Sequence, residues 1–173
     1  MSTYPAVAVV VGNPKPASRT RTVAEAVAMR AAAATGLPVD ERTTIELADL
    51  GPQLFDWSSG AVRAQADALA GARLAIIASP IYKATYTGLL KSFLDWFGQT
   101  GLAGVVAVPV MVGAAREHAL AIELHLRPLL VEIGATVPTR GLFVAEDELD
   151  RLDAVVDAWA ERAAPYLTLG SGR

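Results

Sequence analysis

Three cationic side chains (Lys15, Arg19 and Arg21) lie within VGNPKPASRTRT, residues 11–22, between an apolar run and an alanine-rich stretch. This composition is typical of a turn from a strand into a helix, with the arginines where the helix begins. The first turn of a helix has unpaired N–H groups and a partial charge of roughly +0.5, so acidic residues stabilise it. Here the first acidic residue is Glu25. A bound anion would supply the missing negative charge.

Phosphate is the anion that fits these residue types. Backbone N–H groups, the hydroxyls of Ser18 and Thr20 and an arginine fork can all bond to phosphate oxygens. The alternative is a solvated basic turn whose arginines point to water, and the strand–loop–helix context favours phosphate. The P-loop pattern G-x-x-x-x-G-K-[ST] and the dinucleotide fingerprint G-x-G-x-x-G are absent. A terminal phosphate monoester, such as that of FMN, remains.

Apolar runs and helical patterns alternate along the chain, and they predict the elements that position this loop. Residues 6–12 form a continuous apolar run, as in a strand that is buried on both faces. Residues 39–47 are more polar and predict an edge strand. Further strands are predicted at 73–79, 104–113 and 136–144, and helices at 20–35, 60–71, 86–97, 117–133 and 146–164.

Five strands alternating with five helices predict one α/β domain over residues 1–173, a three-layer structure with helices on both faces of a parallel sheet. Ligands bind such sheets beyond the carboxyl ends of the strands, which draws attention to loops 13–18, 80–85 and 113–116. The tail at about 168–173 is expected to be flexible. Pro109 in a strand and Pro128 in a helix predict local irregularities, the second a kink.

The composition excludes several classes of function. A net charge of −3 disfavours a nucleic-acid partner. The absence of cysteine excludes disulfides, thiol chemistry and cysteine zinc sites. His118 and His125 are seven residues apart, too far for a shared metal ion, so we expect no metal. The sequence shows neither a signal-peptide pattern nor the ~20 apolar residues of a membrane span, so we expect a cytoplasmic protein without a membrane partner.

The stretch SPIYKATYTGLLKSFLDWF, residues 79–97, is the most specific motif of the sequence. It resembles the NAD(P)H-dependent FMN reductases of the flavodoxin-like superfamily, above all those that feed reduced flavin to two-component monooxygenases, as in alkanesulfonate use. These proteins carry S-P-I-Y-K-[AG]-[ST]-Y-[ST]-G-L-L-K, and residues 79–91 match this pattern nearly throughout. Residues 12–20 and HALAIELHLRPLL, residues 118–130, are similar to the family too, so the likeness covers nearly the whole chain.

The resemblance implies a flavodoxin-like fold with strand order 2-1-3-4-5 and a binding site for FMN. Ser18, Arg19 and Thr20 would hold the phosphate. The same loop has Asn13 and Lys15 where the family has Ser and Arg. The second loop would line the ribityl chain and the edge of the isoalloxazine ring with Pro80, Ile81, Tyr82 and Lys83.

The third loop departs from the family pattern. The family has T-G-G-S before the histidine, whereas this chain has Val112, Gly113, Ala114 and Ala115. Gly113, Ala114 and His118 remain the expected flavin contacts of this loop. Because glycine allows a close backbone approach to a ligand, the methyl group of Ala114 is expected to narrow the flavin site.

The activity that the resemblance implies is an NAD(P)H:FMN oxidoreductase, which passes hydride from nicotinamide C4 to flavin N5 and uses no side chain as an essential acid or base. The reductant would be NADPH or NADH, and a flavin-dependent monooxygenase is the expected partner. An FMN-retaining quinone or azo reductase and a non-catalytic FMN-binding electron carrier are the alternatives.

The residues outside the three loops give further expectations. The apolar helix at 86–97 and the kinked helix around Pro128 predict a homodimer or homotetramer, because one sheet contact cannot cover so many apolar side chains. We expect Trp57 to pack in the core and His125 to lie at a surface or interface. The acidic residues at 146–150 are interpreted as stabilising the start of the last helix through its dipole.

Overall fold

The computed structural model describes residues 4–169, in which a five-stranded sheet has the order β2-β1-β3-β4-β5. All four pairs of neighbouring strands are parallel. The order confirms the flavodoxin-like fold that the resemblance implies. The strands are β1 (Val7–Val11), β2 (Arg42–Glu46), β3 (Leu74–Pro80), β4 (Val106–Gly113) and β5 (Leu142–Ala145).

Five α-helices cover the two faces of the sheet, and alternate residues of the strands separate the two cores. On one face α1 and α5 pack over Val7, Val9 and Val11. On the other face α2, α3 and α4 pack over Ala8 and Val10. The helices are α1 (Arg19–Thr35), α2 (Gly60–Gly71), α3 (Gly88–Leu94), α4 (Arg127–Glu132) and α5 (Leu152–Ala163).

The predicted last strand, 136–144, is shortened at its start, and Pro109 explains why. The N–H of Ala107 donates to the carbonyl of Thr136 (2.8 Å), on the side where β5 lies. Alternation along a strand puts the nitrogen of Pro109 on the same side, where it has no hydrogen to donate. The continuous ladder with β5 therefore begins only at the pair Val110–Leu142.

The single helix predicted at 117–133 is wrong, and Pro128 accounts for the difference. A 3₁₀ turn (Arg116–His118) is followed by a π-helical segment (Ile122–Leu126) and then by α4, where the proline stands in the first turn. The helix runs without a break from the π-helical segment into α4, and the wider π turn lies directly before the proline, which has no N–H to donate. Where a kink was expected, the helix changes from π-helical to α-helical geometry just before Pro128.

Two other helices are shorter than predicted. The segment at 86–97 is helical only from Gly88 to Leu94, after Thr87 as N-cap, and a 3₁₀ segment (Glu146–Arg151) precedes α5. No helix within residues 4–169 has the length and apolar character that crossing a bilayer requires. Of the tail expected to be flexible, residues 170–173 lie outside the described residues.

Candidate functional site

Three loops meet at the carboxyl edge of the sheet, because β1, β3 and β4 are neighbours there. The second and third loops are joined by the N–H of Ile81, which donates to the carbonyl of Val112 (2.8 Å). The first loop is joined to the start of α3 by the hydroxyl of Thr87, which donates to the carbonyl of Gly12 (2.6 Å). The same hydroxyl accepts from Leu90 N–H (3.1 Å) and so caps α3. The structure therefore brings the predicted loops together.

The polar side chains of the first loop bond to one another. The amide of Asn13 donates to the Thr20 hydroxyl (3.0 Å), and its carbonyl oxygen accepts from Lys15 N–H (2.9 Å). Ser18 is the N-cap of α1, as predicted, and its hydroxyl accepts from Arg21 N–H (3.3 Å). Ser18 and Thr20 are buried, whereas Lys15 is exposed. This network fixes the path of the chain from β1 into α1.

Glu46, at the end of β2, holds the first loop from the neighbouring strand. Both of its carboxylate oxygens accept from Ala17 N–H (3.1 and 3.2 Å), and one lies 3.3 Å from Nη1 of Arg21. The side chain of Glu46 is only 8% exposed. Ala17 has φ 49°, a left-handed conformation that an L residue adopts at a cost. The carboxylate therefore stabilises a strained turn and neutralises Arg21.

Arg19 is the other arginine at the start of α1, and it is much more exposed. Its Nη1 lies 3.2 Å from Oε2 of Glu146, and 66% of its side chain is exposed. The N–H groups of the first turn have no acceptor inside the helix, and no acidic residue occupies that turn. The Ser18 hydroxyl caps Arg21 N–H, so the N–H groups of Arg19 and Thr20 are the ones left without an acceptor inside the helix. Together with the Arg19 side chain they can bind an oxyanion.

The second loop contains a tight two-residue turn. Tyr82 and Thr85 exchange backbone hydrogen bonds of 2.9 and 3.2 Å, and Lys83 and Ala84 between them have φ of 51° and 65°. Two successive positive φ values are typical of a type I′ turn, which normally uses Asn or Gly. The non-glycine residues cost energy there, and such strain is concentrated at functional sites. Tyr82 and Lys83 are exposed, and Pro80, the last residue of β3, is buried.

The third loop leaves β4 at Gly113, where neighbouring side chains would pack tightly against a Cβ atom. A Cβ at Gly113 would lie 3.0 Å from the Phe143 ring and 3.3 Å from Cδ1 of Ile81. Ala114 is exposed, and His118 is half-buried in the 3₁₀ turn that follows. The narrowing of the flavin site by Ala114 stays a prediction.

A buried carboxylate in the 3₁₀ segment after β5 links the end of β5 to Arg116 of the third loop. Glu148 accepts from Ala145 N–H (3.1 Å) and pairs with Arg116 and Arg151. Burial raises the pKa of Glu148, but the hydrogen bonds from Ala145 and Arg116 and the charges of the two arginines outweigh burial, so the pKa is lowered overall. These ion pairs give Glu148 a role of its own, and the stabilisation of a helix start by the acidic cluster through the helix dipole stays a prediction.

Trp57 does not pack in the core, contrary to the prediction. It is 61% exposed, and its ring lies 5.0 Å from that of the half-buried Trp96. Trp96 also carries the guanidinium of Arg63 over its face (5.2 Å) and donates to the Leu54 carbonyl (3.0 Å). Of these two tryptophans, Trp96 is the one that packs against the core.

The sequence-based reasoning missed Glu46 and Thr87 and gave Glu146 a different role. Glu46 could have been found from the parallel pairing, because a residue at the end of β2 must lie beside the end of β1. Thr87 precedes a helical pattern, which is a cap signal. Within residues 4–169, no three His, Asp or Glu side chains form a group that could hold a metal ion.

Comparison with known proteins adds independent findings to this geometry. The sequence model of the NADPH-dependent FMN reductases matches residues 5–150. An FMN reductase (NADPH) of Pseudomonas aeruginosa is 31% identical, over 95% of this chain and 92% of its own. The NADH-dependent FMN reductase SfnF of Pseudomonas putida is 34% identical, over 62% of this chain and 58% of its own.

Solved structures show the same similarity in three dimensions. The apo form of an NADH:FMN oxidoreductase, EmoB, superposes with a TM-score of 0.74 at 31% identity, covering 98% of this chain and 97% of its own. An oxidoreductase from Corynebacterium diphtheriae superposes with a TM-score of 0.79 at 26% identity, covering 96% of this chain and 98% of its own.

Proposed function

Because the chain belongs to the NADPH-dependent FMN reductase family, we propose that it transfers a hydride from NADPH or NADH to FMN. When bound, FMN supplies the redox chemistry, accepting the hydride at N5 from C4 of the reduced nicotinamide. The protein holds the two rings face to face, and such positioning accounts for a large part of the rate of a reaction between two bound molecules. No side chain is assigned a role as acid or base.

The start of α1 is the observation that carries this proposal. Arg19 is an exposed cation beside the N–H groups of Arg19 and Thr20, which have no acceptor inside the helix, and no acidic residue occupies the first turn. The buried hydroxyls of Ser18 and Thr20 belong to the same end of the helix. These groups fit a phosphate dianion, and we assign them, with Asn13 and Lys15 in the same loop, to the phosphate of FMN.

The second and third loops are assigned to the rest of the flavin. Pro80 and Ile81 offer apolar backing, and Ile81 packs beside Gly113 at the mouth of the neighbouring loop. Tyr82 and Lys83 stand on the tight turn, whose two hydrogen bonds fix their position. We place the isoalloxazine ring over these residues, with His118 and Ala114 at its margin.

The family resemblance also supports a role for the product. Reduced FMN made by such a reductase would be passed to a separate flavin-dependent monooxygenase, which needs it to activate oxygen. The curated relatives include proteins named for NADPH and proteins named for NADH, and the proposal covers both reductants. The demand for reduced nicotinamide also leads us to infer a cytoplasmic location.

We further propose that the chain forms a homodimer or homotetramer through the region around Pro128. Leu120, Leu124 and Val131 are more than half exposed there, although they are large apolar side chains. The helix α3 contributes less than predicted, because Leu90 and Phe93 are buried within the same chain. An exposed apolar surface of this kind is typical of an interface.

Light scattering at micromolar concentration tests the oligomer. The wild type is expected to be a dimer or tetramer, and Leu124→Asp should give monomers. Met29→Asp is the matched control, because Met29 is an exposed apolar residue of α1. A monomeric wild type would refute the proposal.

The phosphate assignment is tested by Arg19→Ala with FMN and riboflavin as paired ligands. Loss of a charge-assisted hydrogen bond at an exposed site should raise the dissociation constant of FMN about three- to tenfold. Riboflavin has no phosphate, so its dissociation constant should not change. Arg73→Ala is the control, since Arg73 is an exposed arginine directly before β3, at the amino ends of the strands and therefore away from the three loops. Unchanged FMN binding in Arg19→Ala would contradict the assignment.

The activity itself is tested by mixing protein, FMN and NADPH or NADH without oxygen. Loss of the oxidised flavin absorbance is expected at a rate far above that of the mixture without protein. Flavin that binds but is not bleached would favour the non-catalytic electron carrier instead.

A further inference from the structure

The cation assigned to the flavin phosphate already has a counter-ion within the protein. Nη1 of Arg19 lies 3.2 Å from Oε2 of Glu146, in the 3₁₀ segment that follows β5. We propose that Glu146 sets the affinity for FMN, because its carboxylate competes with the flavin phosphate for Arg19. This inference rests on the proposed function, since it requires the phosphate to bind at Arg19.

The ion pair of Arg19 can exchange partners, whereas that of Arg21 is fixed. The side chains of Arg19 and Glu146 are 66% and 50% exposed, and an exposed pair of this kind contributes little to stability. The carboxylate that holds Arg21, on Glu46, is buried and also accepts from the backbone. Of the two arginines at the start of α1, Arg19 is therefore the one that can turn from a carboxylate to a phosphate.

The surroundings of Arg19 are acidic beyond this one pair. A cavity of about 570 Å³ beside Arg19 is lined by Glu146, Asp147 and Asp150. A phosphate dianion on Arg19 would displace one carboxylate and stand near the others, and like charges at such separations repel. The arginine would then bind the phosphate less tightly than it would in a neutral setting.

A weakened phosphate contact suits a flavin that is consumed as a substrate. If FMN is to leave after reduction, its affinity must stay low enough for release between turnovers. The competition lets Arg19 exchange partners in each turnover: the FMN phosphate displaces the Glu146 carboxylate on binding, and Glu146 pairs with Arg19 again as the flavin departs. A carrier that retains FMN would gain nothing from such a carboxylate.

Calorimetric titration of the Glu146→Gln protein with FMN and with riboflavin tests the proposal. The substitution removes the charge and keeps the size of the side chain. The dissociation constant of FMN should fall about two- to fivefold at low salt, which corresponds to the strength of an exposed ion pair. That of riboflavin should stay the same. The difference from wild type should shrink near 1 M salt, where the Debye length is about 3 Å.

Asp147→Asn is the matched control. It makes the same change of charge at the next residue, in the same cavity but without a contact to Arg19. The FMN dissociation constant should decrease much less in Asp147→Asn than in Glu146→Gln. An equal decrease in both variants would overturn the proposal in favour of a general effect of net charge.

Arg19→Ala separates the two ways of failing. If Arg19→Ala weakens FMN binding but Glu146→Gln leaves it unchanged, the competition is refuted and the phosphate assignment stands. If Arg19→Ala has no effect, the phosphate assignment itself fails and the competition fails with it. In the Arg19→Ala background, Glu146→Gln should tighten FMN binding less than it does in the wild type, because the competition for Arg19 is gone and only the direct repulsion between carboxylate and phosphate remains.

Discussion

Replacing Glu46 by alanine should loosen the loop that is assigned to the flavin phosphate. In the structure this carboxylate accepts from Ala17 N–H with both oxygens and pairs with Arg21, across the gap between β2 and the first loop. Within residues 4–169 the Ala17 N–H donates to no acceptor other than the Glu46 carboxylate, so no other hydrogen bond would replace this one. The variant therefore removes the restraint on a residue whose φ of 49° is unfavourable for alanine.

The size of the effect follows from these contacts. A hydrogen bond to a charged group contributes about 1.5–3 kcal/mol, but the partners Ala17 and Arg21 are exposed and can turn to water. We expect Glu46→Ala to lower the free energy of unfolding by about 1–2 kcal/mol, or the melting temperature by about 3–6 °C. The looser loop should raise the dissociation constant of FMN about three- to tenfold.

Chemical denaturation and FMN titration of three variants make the test sharp. Glu46→Gln keeps an acceptor for Ala17 but not the charge for Arg21, so it should show a smaller loss than Glu46→Ala. Adding Ala17→Gly to Glu46→Ala should recover about 0.5 kcal/mol, because glycine adopts positive φ without the alanine strain but loses more entropy on folding. The reasoning is refuted if Glu46→Ala matches the wild type in both stability and FMN affinity.

Three further predictions concern stability. Because the pKa of Glu148 is lowered in the folded protein, its contribution to the free energy of unfolding is complete above its ordinary pKa of 4.5 and is lost as the pH falls through the lower folded value. In urea denaturation between pH 7 and 3, the free energy of unfolding should therefore fall less in Glu148→Gln than in the wild type. Thr87→Val removes the bond to the Gly12 carbonyl and the cap of α3, so denaturant unfolding should show a loss of about 2 kcal/mol, largely restored in Thr87→Ser. Ala84→Gly should raise the unfolding free energy, measured by thermal unfolding, by about 0.5 kcal/mol, because φ is 65° there. In the same measurement Ala64→Gly, at an exposed position inside α2, should lower it by about 1 kcal/mol.

The sequence predicts the parts of the fold that depend on local patterns. The buried strands β1 and β3, the helix α1 with its Ser18 cap and the meeting of the three loops at the carboxyl edge all follow from apolar runs and helix signals. The strand order came with the family resemblance, on the strength of the motif at residues 79–91. These features can be predicted because the apolar runs, the helix patterns and the motif at residues 79–91 each extend over several neighbouring residues.

The remaining features depend on contacts between distant residues. Pro109 shortens β5 because its missing N–H faces that strand, and the direction is set by a pairing that no local pattern reveals. Glu46 reaches Ala17 only because β2 lies next to β1 in this register. Trp57 and Trp96 are both aromatic residues near apolar ones, and only the contacts of Trp96 with Leu54 and Arg63 distinguish it as the inner one.

The shortening of β5 also bears on how these molecules behave when they are crowded. An edge strand exposes a row of unpaired backbone groups that can pair with a strand of another molecule, the first step of sheet-to-sheet aggregation. Here β5 spans four residues and β2 at the opposite edge spans five, two of which are threonines beside a charged arginine. Because Pro109 interrupts the pairing of β4, the edge strand β5 is short. A neighbouring chain therefore finds few backbone groups at this edge on which to extend the sheet.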